Sequence, residues 1–166
     1  MTKKRRYREY CNSNNDIPIY SQSWWLDLAC GFDNWDVALV VKGKEIIASM
    51  PYQIIKRKGF ISYCTMPPLT QIWGPWLAPA KCNYTKRLSQ EKKMMTELID
   101  QLPPFSQFSQ SWHYNYQNWL PFYWKGFQQT TKYTYLIEDL SNLDKTYEKF
   151  QSKIRTDIKK HPENTP

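Results

Sequence analysis

No stretch of this chain approaches the roughly 18 to 20 consecutive apolar residues that a membrane-spanning helix requires. The basic N-terminus MTKKRRYREY has no apolar signal-peptide core behind it, so a cytoplasmic location is the default expectation. Glycine occurs only five times, at Gly31, Gly43, Gly59, Gly74 and Gly126, too sparsely for a loop that cradles a phosphate on glycine amides. The two histidines, His113 and His161, and the four cysteines, Cys11, Cys30, Cys64 and Cys82, build neither a C-x-x-C pair nor a zinc-ligand spacing. No metal is expected. Without a secretory signal the cysteines read as buried or idle thiols, not as a disulfide framework. Nucleophile elbow, Walker loop and H-E-x-x-H are also missing.

What the chain does have is aromatic surface and positive charge. Its 166 residues suit one domain with a real core. Aromatics make up 16% of the residues while mean hydropathy is −0.73, so the apolar content sits in large rings that can pack or stack. The net charge of +8 is concentrated at the two ends. Lys3, Lys4, Arg5, Arg6 and Arg8 form one cluster; residues 1–16 read as a flexible, solvated basic tail. Lys145, Lys149, Lys153, Arg155, Lys159 and Lys160 form the other, with a smaller Lys56-Arg57-Lys58 group between.

Periodicity outlines the elements. Ser21 or Ser23 can cap a short helix carrying Trp24, Trp25 and Leu28 that stops at Gly31. Trp35 to Val41 alternates as a strand does, Lys42-Gly43 turns the chain, Lys44 to Ile55 returns, and Phe60 to Thr65 completes a three-stranded meander. The proline-rich segment from Pro67 to Pro79 belongs in a loop or at a sheet edge. Thr85 to Leu102 spaces Leu88, Met95, Leu98 and Leu102 as a helix. Phe105 to Tyr114 reads as a strand, Pro121 to Lys125 as a helical turn closed at Gly126, and the Thr/Tyr/Ile-rich run Phe127 to Ile137 as another strand. Ser141 and Asp144 suggest a capping box opening one helix, with Leu143, Tyr147, Phe150, Ile154 and Ile158 on a single face. On another face of it Lys145, Lys149 and Lys153 line up.

Two segments carry the candidate binding chemistry. In MPPLTQIWGPW, prolines stiffen the backbone and Gly74 permits a close approach; in NWLPFYWKGF, aromatics surround Lys125. Trp73, Trp76, Trp119, Tyr123 and Trp124 could wall a sugar or a base, with Lys125 reaching a phosphate or carboxylate. Core packing competes for each ring. Gln71 to Trp76 is spaced like the Q-x-x-G-x-G/A loop of acetyltransferases, but Trp76 fills the small-residue position and Pro75 removes an amide, so no acyl-CoA site is legible. No cofactor is expected to be held by this chain. Asp36, Glu45, Glu138 and Asp139 could each be a base, a cap or an ion-pair partner, and His113 reads as a packing residue. No catalytic residue is assigned.

The order PIYSQSWWLDLACG, WDVALVVKGKEIIASMPY, MPPLTQIWGPW, NWLPFYWKGFQQTTKYTYLIEDLS and QSKIRTDIKK resembles the N-terminal portion of FemAB-type proteins of the GNAT superfamily, from about Ile17 onward. The resemblance implies an α/β (α+β) fold, a mostly antiparallel sheet flanked by helices, with residues 17–160 forming an incomplete N-terminal lobe and 161–166 a truncated tail. Family members join two such lobes and transfer an acyl or aminoacyl group from acyl-CoA or aminoacyl-tRNA to an amine, in one branch that of a cell-wall precursor. Ser152 to Lys160 resembles the family's S-N-I-R-R-D-I-R-K run, with Thr156 in place of its second arginine. The resemblance thus implies Lys153, Arg155 and Lys159 for an anionic acceptor group, Trp73, Trp76, Tyr123 and Trp124 for walls, and a missing C-terminal lobe as partner.

The leading expectation is an acceptor-binding lobe of an N-acyltransferase, not catalytic without its second lobe. The alternatives are a basic, aromatic-rich nucleic-acid-binding module and an inactive truncated remnant.

Overall fold

A computed structural model describes residues 1–57 and 59–160. Along the chain run helices α1 (Lys3–Ser13) and α2 (Ser23–Cys30), then strands β1 (Asp36–Lys42), β2 (Glu45–Tyr52), β3 (Ile54–Arg57), β4 (Ile61–Cys64) and β5 (Trp76–Leu77). Helix α3 (Tyr84–Ile99), strand β6 (Gln107–Phe108) and helices α4 (Leu120–Trp124), α5 (Leu143–Glu148) and α6 (Ser152–Lys160) follow. The class is mixed α and β, with two small, mostly antiparallel sheets. The chain divides into two compact units, residues 1–128 and the residues from Gln129 onward.

The first sheet has the order β1-β2-β5 and is antiparallel throughout. Alternation along β1 sends Val37 and Leu39 into one core with Tyr7, Leu26, Trp35 and Trp76, while Ala38 and Val40 enter a second core with Met50, Met95, Leu98 and Phe122. Both faces are therefore covered, one by α1 and α2, the other by α3 and α4. Asn83 caps α3 by accepting from the Lys86 amide at 3.0 Å, and Met94, Met95, Leu98 and Ile99 are its buried residues. Fully burying one such aliphatic side chain contributes about 1.5–3 kcal/mol.

The N-terminal residues are not a tail. Thr2 caps α1, its hydroxyl accepting from the Arg5 amide, and Tyr7 and Cys11, one turn apart, are buried. Tyr7 Oη donates to the Ser21 carbonyl at 2.8 Å. The first turn carries cations and no acid, against the helix dipole, so the helix is held by what those cations reach. Lys3 donates to Gln101 Oε1 at 2.8 Å, Lys4 to the Phe32 carbonyl, and Arg5 to Glu9 at 3.2 Å. Arg6 donates to the carbonyls of Gly43 and Lys44. Arg8 forms a two-point ion pair with Asp27 and lies over the Phe32 ring. The sequence pattern conceals this helix because its charges outnumber its two inward residues.

Asp27 also accepts from Trp35 Nε1 at 2.9 Å. Burial raises its carboxyl, but the hydrogen bonds from Arg8 and Trp35 outweigh that and hold it below the usual range. The unfolded carboxyl titrates near about 3.9. Its stabilising contribution is thus complete above that pH and is lost as pH falls through the lower folded value. Thermal melts between about pH 2.5 and 5 should show this loss in the wild type and a flatter profile in Asp27→Asn, which also starts about 1–2 kcal/mol less stable. Parallel profiles would remove the assignment.

Helix α2 ends as the sequence predicts, with Gly31 at φ +87. Its N-cap is Gln22, not Ser21 or Ser23, and makes no side-chain cap bond. The expected meander is split at the buried Gln53: β2 stays in the first sheet, whereas β3 pairs with β4 in a second sheet of order β3-β4-β6. In that sheet β6 lies parallel to β4 and is all that forms of the strand expected over Phe105 to Tyr114.

From Gln129 onward the structure departs further. No strand forms over Phe127 to Ile137. The single helix expected after Ser141 is two, α5 and α6, interrupted at residues 149–151, with Asn142 in place of Ser141 as the cap. Lys145, Lys149 and Lys153 therefore do not share one helix face. Neither helix buries a residue; an amphipathic pattern stabilises a long helix mainly through the core it covers. The expected tail over 161–166 lies outside the described residues.

Candidate functional site

Within the first unit, the residues singled out by sequence part into a buried set and an exposed one. Trp73 and Trp76 are only 2% and 5% exposed. Both belong to the core beneath α1, where Trp76 meets Tyr10 at 5.8 Å between ring centroids. They are packing residues, not walls. Their proline-rich backbone is nonetheless a close-approach point: Trp112 lies against the α-carbon of Gly74, and the Trp73 amide donates to the Ser111 carbonyl at 2.6 Å.

Tyr123 and Trp124 stand the other way. Helix α4 is a single turn, with Pro121 in its first turn. Phe122 is its inward anchor, 4.7 Å from the Trp112 ring and 5.0 Å from Phe127. About 100° of rotation per residue then turns the next two rings away from that anchor. Tyr123 and Trp124 are each 60% exposed. Lys92 of α3 lies 5.8 Å over the Trp124 ring, and Lys125 donates to Asp100 at 2.6 Å. The result is an aromatic ledge with an ammonium above it and an ion pair beside it, set on two helices. Trp119 supports the ledge, packing edge-on to Tyr123 at 5.5 Å.

Lys153, Arg155 and Lys159 lie on α6. Arg155 and Lys159 are one turn apart and adjacent, whereas Lys153 is about 200° away from Arg155 on the helix. Ile154 and Ile158, both exposed, form an apolar stripe beside the Arg155–Lys159 pair. The Tyr147 hydroxyl donates to the Arg155 carbonyl at 3.2 Å and ties α5 to α6. The sequence resemblance thus selects three cations of which two share a face.

Sequence reasoning missed one feature, an open groove of about 570 Å³ at the start of α1, lined by Lys3, Lys4, Asn34, Trp35, Asp36 and Tyr52 among others. The signal available was Thr2 as a cap with Tyr7 and Cys11 one turn apart. Its two ammonium groups are already engaged, by Gln101 and by the Phe32 carbonyl. Burial, with Asp36 beside it, pushes the Tyr52 hydroxyl up to about 12, so it stays a neutral donor. The groove offers hydrogen bonding without a free charge cluster.

The three buried cysteines are not activated nucleophiles. Burial pushes the Cys30 thiol up to about 11 and Cys64 to about 12, and raises Cys11 as well, so all three remain protonated at neutral pH. His113 accepts from the Asn115 amide at 3.2 Å and stacks on Tyr114, a local loop contact. Asp139 accepts from the Ser141 amide at 2.8 Å and Asp36 from the Val37 amide, so both serve backbone turns. Among the described residues, no three His, Cys, Asp or Glu side chains are grouped to hold a metal. Among the described residues, no helix is long and apolar enough to cross a membrane.

No family model, curated protein or solved structure matches this chain.

Proposed function

We propose that this chain is the acceptor-binding lobe of a FemAB-like N-acyltransferase, which positions an amine-bearing substrate while a companion lobe supplies the acyl or aminoacyl donor. The observation that carries the reading is the α4 ledge. Two exposed rings fixed by a buried neighbour can stack on a sugar, and Lys92 above Trp124 suits an attached phosphate or carboxylate. The class of acceptor is accordingly an anionic saccharide carrying a free amine, such as a nucleotide-linked cell-wall precursor. Amine attack on an ester or thioester needs positioning, a proton acceptor and an oxyanion donor; the ledge supports the first. In the second unit, the bare Ile154–Ile158 stripe beside Arg155 and Lys159 suits a covering lobe.

Calorimetric titration of the full chain with a nucleotide-sugar peptide should give saturable binding. Trp124→Ala should weaken it about tenfold, or about 1.4 kcal/mol. Absence of heat up to millimolar ligand would sink the reading. Single-stranded RNA titrated in parallel tests the nucleic-acid module, whose affinity would fall log-linearly with salt. The N-terminal cations that partly motivated that module are engaged within the fold.

A further inference from the structure

The basic group at the end of β3 is used by no part of the α4 ledge. Lys56 pairs across to Ser62 of β4 and Arg57 to Ile61, so the chain reverses directly beyond these two cations. Both are exposed, and among the described residues neither joins an ion pair. At the reversal Phe60 is 80% exposed. Arg57 lies over the Tyr63 ring, 5.7 Å from its centroid, on the sheet face that the strand period also gives to the half-buried Ile55 and Ile61.

The charge of this hairpin is of one sign. No Asp or Glu occurs in the sequence between Glu45 and Glu91, and the three strands of the second sheet, β3, β4 and β6, hold two cations and no acid. Asp33 and Asp36 share a groove with Ile54, at the opposite end of β3 from Arg57. The complementary partner is therefore anionic. A single exposed ring is ordinary on a protein surface, but here it stands at a chain reversal with uncompensated cations directly behind it. A stacked nucleic acid needs several ring faces along a charged track, whereas Phe60 is the one ring at this turn and Tyr63 already carries the Arg57 guanidinium. A bilayer asks for an apolar side chain to enter the acyl boundary, cations at the depth of the headgroup phosphates and an amphipathic ring between them.

We propose that the β3–β4 hairpin docks this protein on an anionic membrane surface, with Phe60 entering the lipid and Lys56 and Arg57 meeting the headgroups. The attachment is peripheral and reversible, because one ring and a few cations give far less than a spanning segment. It does not rest on the acceptor reading, since the hairpin shares no residue with the ledge.

Vesicle co-sedimentation of the full chain tests it. The wild type should bind phosphatidylcholine vesicles that contain about one-third phosphatidylglycerol, lose them as salt rises from about 0.1 to 1 M, and ignore phosphatidylcholine alone. Basic residues elsewhere in the chain could give some binding, so the hairpin variants decide. Phe60→Ala should bind about tenfold more weakly, and Phe60→Trp should keep the wild-type affinity, because tryptophan also suits the interface. Lys56→Gln with Arg57→Gln should likewise lose about tenfold or more. All these side chains are exposed, so circular-dichroism melts should keep the wild-type midpoint. Absence of vesicle binding, equal binding to neutral vesicles, or affinity undiminished in Phe60→Ala or in the double variant would each overturn the proposal. So would single-stranded RNA that binds in a Phe60-dependent way while vesicles do not, which would assign the hairpin to nucleic acid. Titration with the nucleotide-sugar peptide should be the same in Phe60→Ala as in the wild type, so this proposal and the acceptor reading fail separately.

Discussion

Replacing Gly74 with alanine should cost the fold about 3 kcal/mol, seen as a lower urea midpoint at unchanged slope. A β-carbon at this position would lie 2.6 Å from Trp112 Cδ1, with Nε1 at 3.0 Å and Cγ at 3.1 Å, so it meets the flat of a ring and not the end of a flexible chain. The ring cannot swing clear, because Phe122 packs edge-on against it at 4.7 Å. The backbone adds its own strain: φ of +148 is a conformation that L side chains rarely adopt. A second substitution, Trp112→Leu, separates the two contributions. On the Gly74→Ala background it should recover part of the loss, the clash, and leave the part due to φ. A single variant within about 0.5 kcal/mol of wild type would show that the Trp112 contact is not what it is taken to be.

The second large effect belongs to Gln101. Its amide accepts from Lys3 Nζ and the Leu39 amide and donates to the Leu39 and Glu97 carbonyls, all between 2.8 and 3.1 Å. On β1 it does what a neighbouring strand residue would do, pairing both backbone groups of Leu39. Gln101→Ala should cost about 2 kcal/mol, since two groups of a nearly buried residue lose their partner together. Gln101→Glu is the sharper variant. It keeps shape and acceptors but turns the donating end into a carboxylate facing two carbonyl oxygens, so it should destabilise at least as much as alanine at neutral pH. Denaturant melts settle this, and a glutamate variant as stable as wild type would sink it. Both variants should also aggregate sooner on heating, because an unpaired sheet edge is a template for other chains.

The sequence made the β1–β2 hairpin and helices α2 and α3 legible because each carries a period that burial enforces, and α2 has its stop residue besides. Where a pattern lacked a partner in space, the reading failed. The run Phe127 to Ile137 has strand composition but forms no strand, and the amphipathic stretch after Asn142 breaks at residues 149–151 for want of a core to cover. Helix α1 failed in the opposite sense: its cations suggested solvation, whereas their partners lie far along the chain, at Asp27, Gly43 and Gln101. For the aromatics, local sequence could not decide. Trp73 and Trp124 sit in similar Pro- and Trp-rich surroundings, yet one is core and the other surface, because on α4 the inward position belongs to Phe122. Tyr123, Trp124 and Lys125 lie beside Lys92 of α3 and Asp100 at its C-cap, neighbours that local sequence does not reveal.

The side chain that seals β1 is separated from Leu39 by 62 positions. The β1–β2 hairpin needs only local contacts and can close within about 1–10 μs. Its cover must await a far larger loop, whose closure entropy weighs on the folding rate. During synthesis a ribosome adds about 5–20 residues per second, so the nascent hairpin spends several seconds with that flank bare. The vulnerable species for this protein is therefore a young, half-made chain, and the timing of α3 sets how long it lasts.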